Sequence, residues 1–278
     1  MVSEKGPQMI KRIINEPIDF VKQIIKNRYL ILELTKRDFC TKYIENIFGL
    51  LWAIIDPLVF ILILWFVFTA LRAGQHMEVP FITYLILGLV ANNMFSGILG
   101  QATNGIKSYS FLIKEVNFRI AILPIVKVLS ELILHFIMIL ISVIILMING
   151  IFPTLYFFQL IYYIIAASLM LTGITWGTAS IKFFFPDISK IIEIINRFML
   201  FFTPIFWDIN SFPEKYRFIL KLNPLFYIVQ GYRESLLFNK GFWESPLLSA
   251  YFWLLTFFFL FSGAFVFKKL RPHFADVI

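Results

Sequence analysis

Residues 50–71 read LLWAIIDPLVFILILWFVFTAL, 22 residues with one charge, Asp56. Within them FILILWFVF, at 60–68, is apolar on every side of a helix and lacks the alternation of a barrel strand. About 20 mostly apolar residues cross the hydrocarbon core of a bilayer as a helix. Lipid offers the backbone no partners, so only helices and closed barrels satisfy it there. A transmembrane helix is predicted. Five more segments meet the same requirement, at about 81–103, 128–149, 155–181, 188–207 and 247–267. The expected fold is an all-α membrane protein with six transmembrane helices.

Composition agrees. The chain has 278 residues, 59% hydrophobic and only 15% charged, where a soluble domain carries about 25% charge. Mean hydropathy is +0.81. The net charge of +8 marks the flanks of spans before it marks nucleic acid, since no basic helix or aromatic-basic module lies outside the apolar segments. Cys40 is the single cysteine, which excludes a disulfide framework or a Cys-based metal site. No cleavable signal peptide is expected, because the first long apolar run begins near Phe48, behind a mixed polar segment.

Lys and Arg orient the bundle. With both termini inside, 18 of the 25 basic residues fall on the cytoplasmic side. Arg72, Lys215, Arg217, Lys221, Arg233 and Lys240 fall outside, and Arg197 falls within the fifth segment. The positive-inside rule thus predicts cytoplasmic termini. The expected organisation is a cytoplasmic interface segment (1–49), a membrane domain (50–270) and a cytoplasmic tail (271–278). In the first of these, Ile14, Ile18, Val21 and Ile25 recur at helical spacing. They predict an amphipathic helix at the inner surface, either a plain anchor or a platform for a cytoplasmic partner. Residues 208–240 are too charged to span and are divided by Pro224. Two short helices there predict a re-entrant hairpin entering from outside between spans five and six.

Few residues suggest chemistry. GQATNGIKS (100–108) is one residue away from a phosphate-cradling loop, but Ile106 stands where the Lys belongs and Lys107 and Ser108 come one place late. No strand precedes it, as that loop requires, so no nucleotide site is expected. Lys127, Glu131 and His135 share one helical face, read as a local ion pair at the inner boundary with Lys127 snorkelling; the alternative is a proton relay. Glu193 and Arg197 repeat the pattern. Asp56 needs a partner if it lies in the bilayer, and Arg37 or Lys42 in the preceding helix is the candidate. Metal and nucleophile constellations are missing, and the three histidines are far apart in sequence. The expectation is a non-catalytic chain. Its 34 Phe, 11 Tyr and 6 Trp include enough rings for a minority to line a path on which sugars stack.

RDFCTKYIENIFGLLWAIIDPL (37–58), LIKEVNFRIAILP (112–124) and KLNPLFYIVQGYRESLL (221–237) together resemble the polysaccharide-exporting branch of ABC-2 type permeases. Within that branch, NGIFPTLYFFQLIYY (149–163) and ILKLNPLFYIVQGYRESLLFNKGFW (219–243) are most similar to the teichoic acid translocation permeases, with O-antigen permeases next. Two departures stand out: Pro186-Asp187 replaces the usual Arg-Asp, and Asp56 stands where Asn is commoner.

The resemblance implies a homodimer docked on two copies of a separate ATPase, which would hold ATP and Mg, so that this chain carries no cofactor. It implies a coupling helix at 109–117, with Tyr109, Phe111, Leu112, Ile113, Lys114, Glu115, Val116 and Asn117. It implies an interface helix and a motif leading into the first span, with Arg37, Asp38, Tyr43, Gly49, Trp52, Asp56 and Pro57. An external gate would be built by the 212–238 hairpin, with Pro213, Asn223, Pro224, Tyr227, Tyr232, Arg233 and Glu234, where Arg233 is placed to meet phosphates. The implied cargo is an undecaprenyl-type lipid-linked glycopolymer crossing the bacterial cytoplasmic membrane, wall teichoic acid first and O-antigen or capsular polysaccharide as the alternative. An ion-coupled secondary transporter, working through Lys127, Glu131 and His135, is the rival from another class.

Overall fold

The computed structural model describes residues 22, 24–43, 49–71, 79–112, 120–209 and 212–274. The amphipathic positions Ile14, Ile18 and Val21, and residues Ile113, Lys114, Glu115, Val116 and Asn117 of the coupling segment, lie outside the described residues. Ten α-helices are described: α1 (Arg28–Tyr43), α2 (Leu50–Leu71), α3 (Phe81–Thr103), α4 (Gly105–Ser108), α5 (Ile122–Ile148), α6 (Gln159–Phe184), α7 (Ile188–Phe202), α8 (Glu214–Lys221), α9 (Pro224–Leu236) and α10 (Pro246–Leu270). There is no strand among the described residues.

Among the described residues, five segments are long and apolar enough to cross a membrane: Leu51–Leu71, Phe81–Thr103, Ile122–Ile148, Leu155–Phe184 and Pro246–His273. Their burial differs sharply. α3 is the central pillar, with 78% of its apolar window enclosed, whereas only 6% of the α2 window is. A helix apolar all round is stable in either setting, in a core or against lipid. α2 therefore touches the pillar through a narrow seam, where Ala53 and Ile61 are buried, and presents Trp52, Phe66 and Leu71 outward.

α6 and α10 meet most closely. Without a hydrophobic drive between helices in lipid, small residues that let backbones approach do the packing. Gly173 and Gly177 on α6 face Gly263 on α10 so tightly that a Cβ on Gly263 would sit 1.8 Å from the Gly173 carbonyl oxygen.

The segment expected to span at 188–207 departs from the prediction. Its helix, α7, has 15 residues, about 22 Å at 1.5 Å per residue, short of the ~30 Å hydrocarbon core. The cause is Thr203-Pro204. A residue before proline is pushed out of the helical region, and Thr203 is extended (φ −87°, ψ 139°). The chain nevertheless continues along the pillar. Asn196 Nδ2 donates to Ser96 O, Ile205 packs at Gly88, and Tyr84 Oη donates to Trp207 O. Residues 196–207 thus run antiparallel to 96–84.

On either side of Asn223-Pro224 lie the two short helices α8 and α9. Asn223 caps α9, its side chain accepting from Leu225 N at 3.0 Å, and Pro224 occupies the first turn. That is the standard start signal of a helix. α8 is largely exposed, but α9 is core: Leu225, Ile228, Val229, Tyr232 and Arg233 are all fully enclosed.

Candidate functional site

Two polar constructions stand out in this apolar bundle, one at each end. At the first, α1 lies along the start of α5. Asp38 and Lys42 are one turn apart, as are Lys127 and Glu131, and the two turns clasp each other. Lys127 Nζ pairs with Asp38 Oδ1 and Lys42 Nζ with Glu131 Oε1. Because 38 meets 127 and 42 meets 131, α1 and this part of α5 run in the same direction.

A third element joins. Tyr109 Oη donates to Asp38 Oδ1 at 3.0 Å, and the Lys127 ammonium lies 5.3 Å from the Tyr109 ring centroid. Burial, reinforced by the negative charge of Asp38, pushes the Tyr109 phenol well above its usual range, which keeps it protonated as a donor. Burial opposes the charge of Lys42, but the Glu131 carboxylate outweighs that and raises the Lys42 pKa overall. Gly97 on α3 makes room for the clasp: a Cβ there would stand 2.8 Å from Glu131 Oε2.

At the other end, Arg233 on α9 is fully buried. Its guanidinium donates from Nε and Nη2 to Tyr84 O (3.2 and 3.1 Å), from Nη1 to Pro204 O (2.6 Å) and from Nη2 to Ile205 O (2.9 Å). It also stacks 3.4 Å from the Tyr84 ring centroid. The break at Pro204 leaves carbonyls without helical partners, and the planar fork of an arginine reaches several at once. Gly88 opens the space, since its Cβ would fall 2.7 Å from Nη2.

Neighbouring α9 side chains are held as firmly. Tyr232 Oη pairs with His135 Nε2 at 2.8 Å. Tyr227 Oη meets Tyr162 Oη at 2.9 Å and Ser249 Oγ at 3.0 Å, and Trp253 Nε1 donates to Tyr162 Oη at 2.8 Å. Asn223 Nδ2 donates to Thr203 Oγ1 at 2.7 Å, fixing the start of α9 to the end of α7.

These contacts revise several expectations. Lys127 and Glu131 do not pair with each other; both reach to α1, and His135 pairs with α9. Lys42 is committed to Glu131, and Asp56, exposed on α2, is not its partner. Arg233 does not stand at a wet mouth; every donor direction observed points at a carbonyl. The gate residues divide: Tyr227, Tyr232 and Asn223 are enclosed, Pro224 and Glu234 half-buried, and Pro213 exposed. From the other predicted groups, Arg37, Trp52 and Phe111 are exposed, Tyr43 and Pro57 half-buried, and Tyr109 buried. The Leu112 backbone lies in a short 3-10 turn. Gly49 has φ +48°, a left-handed conformation natural to glycine, which turns the chain into α2. Glu193 and Arg197 lie on the exposed face of α7. Gly88, Gly97 and Pro204 were missed by sequence reasoning; a Thr-Pro in an apolar run was the available signal.

GQATNGIKS occupies the end of α3 and the short α4. Its amides are spent in helical bonds, as in Ser108 N to Asn104 O, so it forms no phosphate cradle.

The sequence itself finds its match among known proteins. Residues 29–237 match the family described as ABC-2 type transporter. The chain belongs to that family. Among curated relatives, the O-antigen export system permease protein RfbA of Klebsiella pneumoniae is 28% identical over 255 residues, covering 90% of this chain and 95% of the relative. RfbA of Myxococcus xanthus is 21% identical over 94% of this chain and all of the relative. The polysialic acid transport protein KpsM of Escherichia coli is 25% identical over 82% of this chain and 88% of the relative. An ABC-2 type transporter is a multi-pass membrane protein, as the five apolar helices require.

Proposed function

We propose that this chain is the conduit subunit of an ATP-driven exporter that moves a lipid-linked glycopolymer across the bacterial cytoplasmic membrane. The near-full-length likeness to O-antigen and polysialic acid permeases carries this reading. Wall teichoic acid is the finer assignment, supported by the residues at 149–163 and 219–243; an O-antigen or capsule-type polysaccharide is the alternative. The carrier would be an undecaprenyl-type lipid.

In this reading ATP and Mg belong to a separate ATPase, two copies of which dock beneath two copies of this chain. The second copy would cover α2, whose outward surface is nearly all apolar. Residues 1–49 form the cytoplasmic interface, 50–270 the membrane domain and 271–278 the cytoplasmic tail. Residues 188–207 make the fifth crossing as a helix finished by an irregular turn.

The clasp gives this reading a mechanism. The segment 109–117 would seat on the ATPase, and Tyr109, at its head, is tied to Asp38, which also holds Lys127 of α5. A push on the segment is then delivered at once to α1 and to the start of a 27-residue helix. The arginine fork at the far end holds α9 rigidly to the pillar, so movement at an external gate falls to the exposed α8.

The test is ATPase stimulation. The chain and its partner ATPase, reconstituted together, are expected to hydrolyse ATP several-fold faster when lipid-linked polymer is added. Absence of stimulation, with polymer still reaching the outer face in a strain lacking this chain, would overturn the assignment.

A further inference from the structure

Arg197 is a cation at the wrong depth for a lipid-facing surface. It lies ten residues beyond Asp187, about 15 Å along α7 at 1.5 Å per residue, or half of the ~30 Å hydrocarbon core. Its neighbour Asn196 is bonded to Ser96 O, well inside the α3 pillar, which fixes that depth. The side chain is exposed, and among the described residues it has neither an ion pair nor a hydrogen bond. Ionisable groups at such depth are costly against lipid and as a rule face protein or a wet cavity. Snorkelling relieves those near the ends of a span, and Arg197 sits mid-way along 188–207. Its own helix does not neutralise it either. Glu193 stands one turn earlier, the favourable order for a pair four residues apart, yet the two form no ion pair among the described residues.

The surroundings are those of a binding surface. Arg197 forms one part of a groove of about 460 Å³, and Ile194, Phe198, Phe201 and Phe202 line the rest. Phe198 and Phe202 stack with centroids 4.6 Å apart, and Phe201 is 69% exposed. Ligand sites typically combine apolar and aromatic walls with a few placed polar groups. A phosphodiester in a chain of sugars or polyols complements both parts. The guanidinium fork donates to phosphate oxygens, and the C–H faces of the chain lie against the Phe rings.

We propose that Arg197, with Phe198 and Phe201, contacts a phosphodiester of the cargo midway across the membrane and selects a phosphate-bearing polymer over a neutral one. The inference rests on the glycopolymer reading and narrows it: the exposed face of α7 borders a wet path, and the charge of the cargo is read there.

The experiment uses the chain reconstituted with its ATPase partner. In the first arm Cys40 is replaced by Ser, and R197C is treated with a charged, membrane-impermeant thiol reagent, with and without lipid-linked polyol-phosphate polymer. R197C is expected to react, as a thiol in contact with water does, and the polymer should slow the reaction several-fold. The second arm compares export of that polymer with export of a neutral polysaccharide on the same lipid. R197Q should lower the preference for the phosphate-bearing polymer about tenfold or more, the scale of a lost charged hydrogen bond. R197K should keep most of the preference, and K190Q, at the exposed start of α7, should leave it unchanged. The proposal is overturned if R197C is inert to the charged reagent, if the polymer gives no protection, or if R197Q leaves the preference intact. It is also overturned if R197E abolishes export and E193R with R197E restores it, which would make Arg197 half of an ion pair between two copies of the chain. Failure of the wild type to export either polymer would count against the exporter reading, whereas protection of R197C is read without transport and judges the site by itself.

Discussion

Replacing Arg233 with Met separates an internal staple from a surface contact. The substitution keeps much of the side-chain volume and removes four donated hydrogen bonds. Tyr84 O sits inside α3 and can accept from its own helix, so two carbonyls, Pro204 O and Ile205 O, bear the loss. Each orphaned buried acceptor costs about 1–3 kcal/mol, and the lost stacking on Tyr84 adds up to about 2 kcal/mol. Relief from burying a guanidinium offsets part of this. The net expectation is a loss of about 4 kcal/mol, with R233K falling between Met and wild type because an ammonium lacks the planar fork. The assay is reversible unfolding in mixed micelles with increasing denaturing detergent, followed by Trp fluorescence. A change within about 0.5 kcal/mol, the usual effect of an exposed substitution, would refute the reasoning and return Arg233 to a wet surface.

The clasp predicts a swap rescue: D38K or K127D alone should lower stability by about 1–3 kcal/mol, and D38K with K127D should recover most of it, as measured by a double-mutant cycle. Gly263→Val should force α6 and α10 apart and cost more than the about 1–3 kcal/mol of ordinary overpacking, visible as a large drop in detergent resistance; an unchanged midpoint would contradict the contact with Gly173. The pH dependence has a defined sign. Lys42 has a raised pKa in the fold, so its stabilisation is complete below the unfolded value near 10.5 and is lost as pH rises through the folded one. Unfolding midpoints of wild type relative to K42M should therefore be constant from neutral pH to about 10 and converge above it.

The helical membrane fold was legible in the apolar runs, because a span is a local property of some twenty residues. The boundary at α7 was less so. Residues 188–207 have the composition of a span, yet the conformation turns on Pro204 alone. The clasp was half visible: Lys127, Glu131 and His135 announced a polar face, but Asp38 and Lys42 lie 89 residues earlier, and nothing local distinguishes an interhelical partner from an i,i+4 one. Arg233 misled for a physical reason. A charged residue beside Tyr232 and Glu234 reads as a surface group, and its burial depends on carbonyls released 28 and 29 residues away and on the missing side chain of Gly88. Long-range complementarity of this kind leaves no periodic signature.

The measurement closest to the central claim is transport itself. Lipid-linked glycopolymer should appear on the far face of proteoliposomes only when this chain, its ATPase partner and ATP are all present, and should stop when the partner is made unable to hydrolyse. Export by the chain alone, or ATP hydrolysis by the purified chain, would contradict the account.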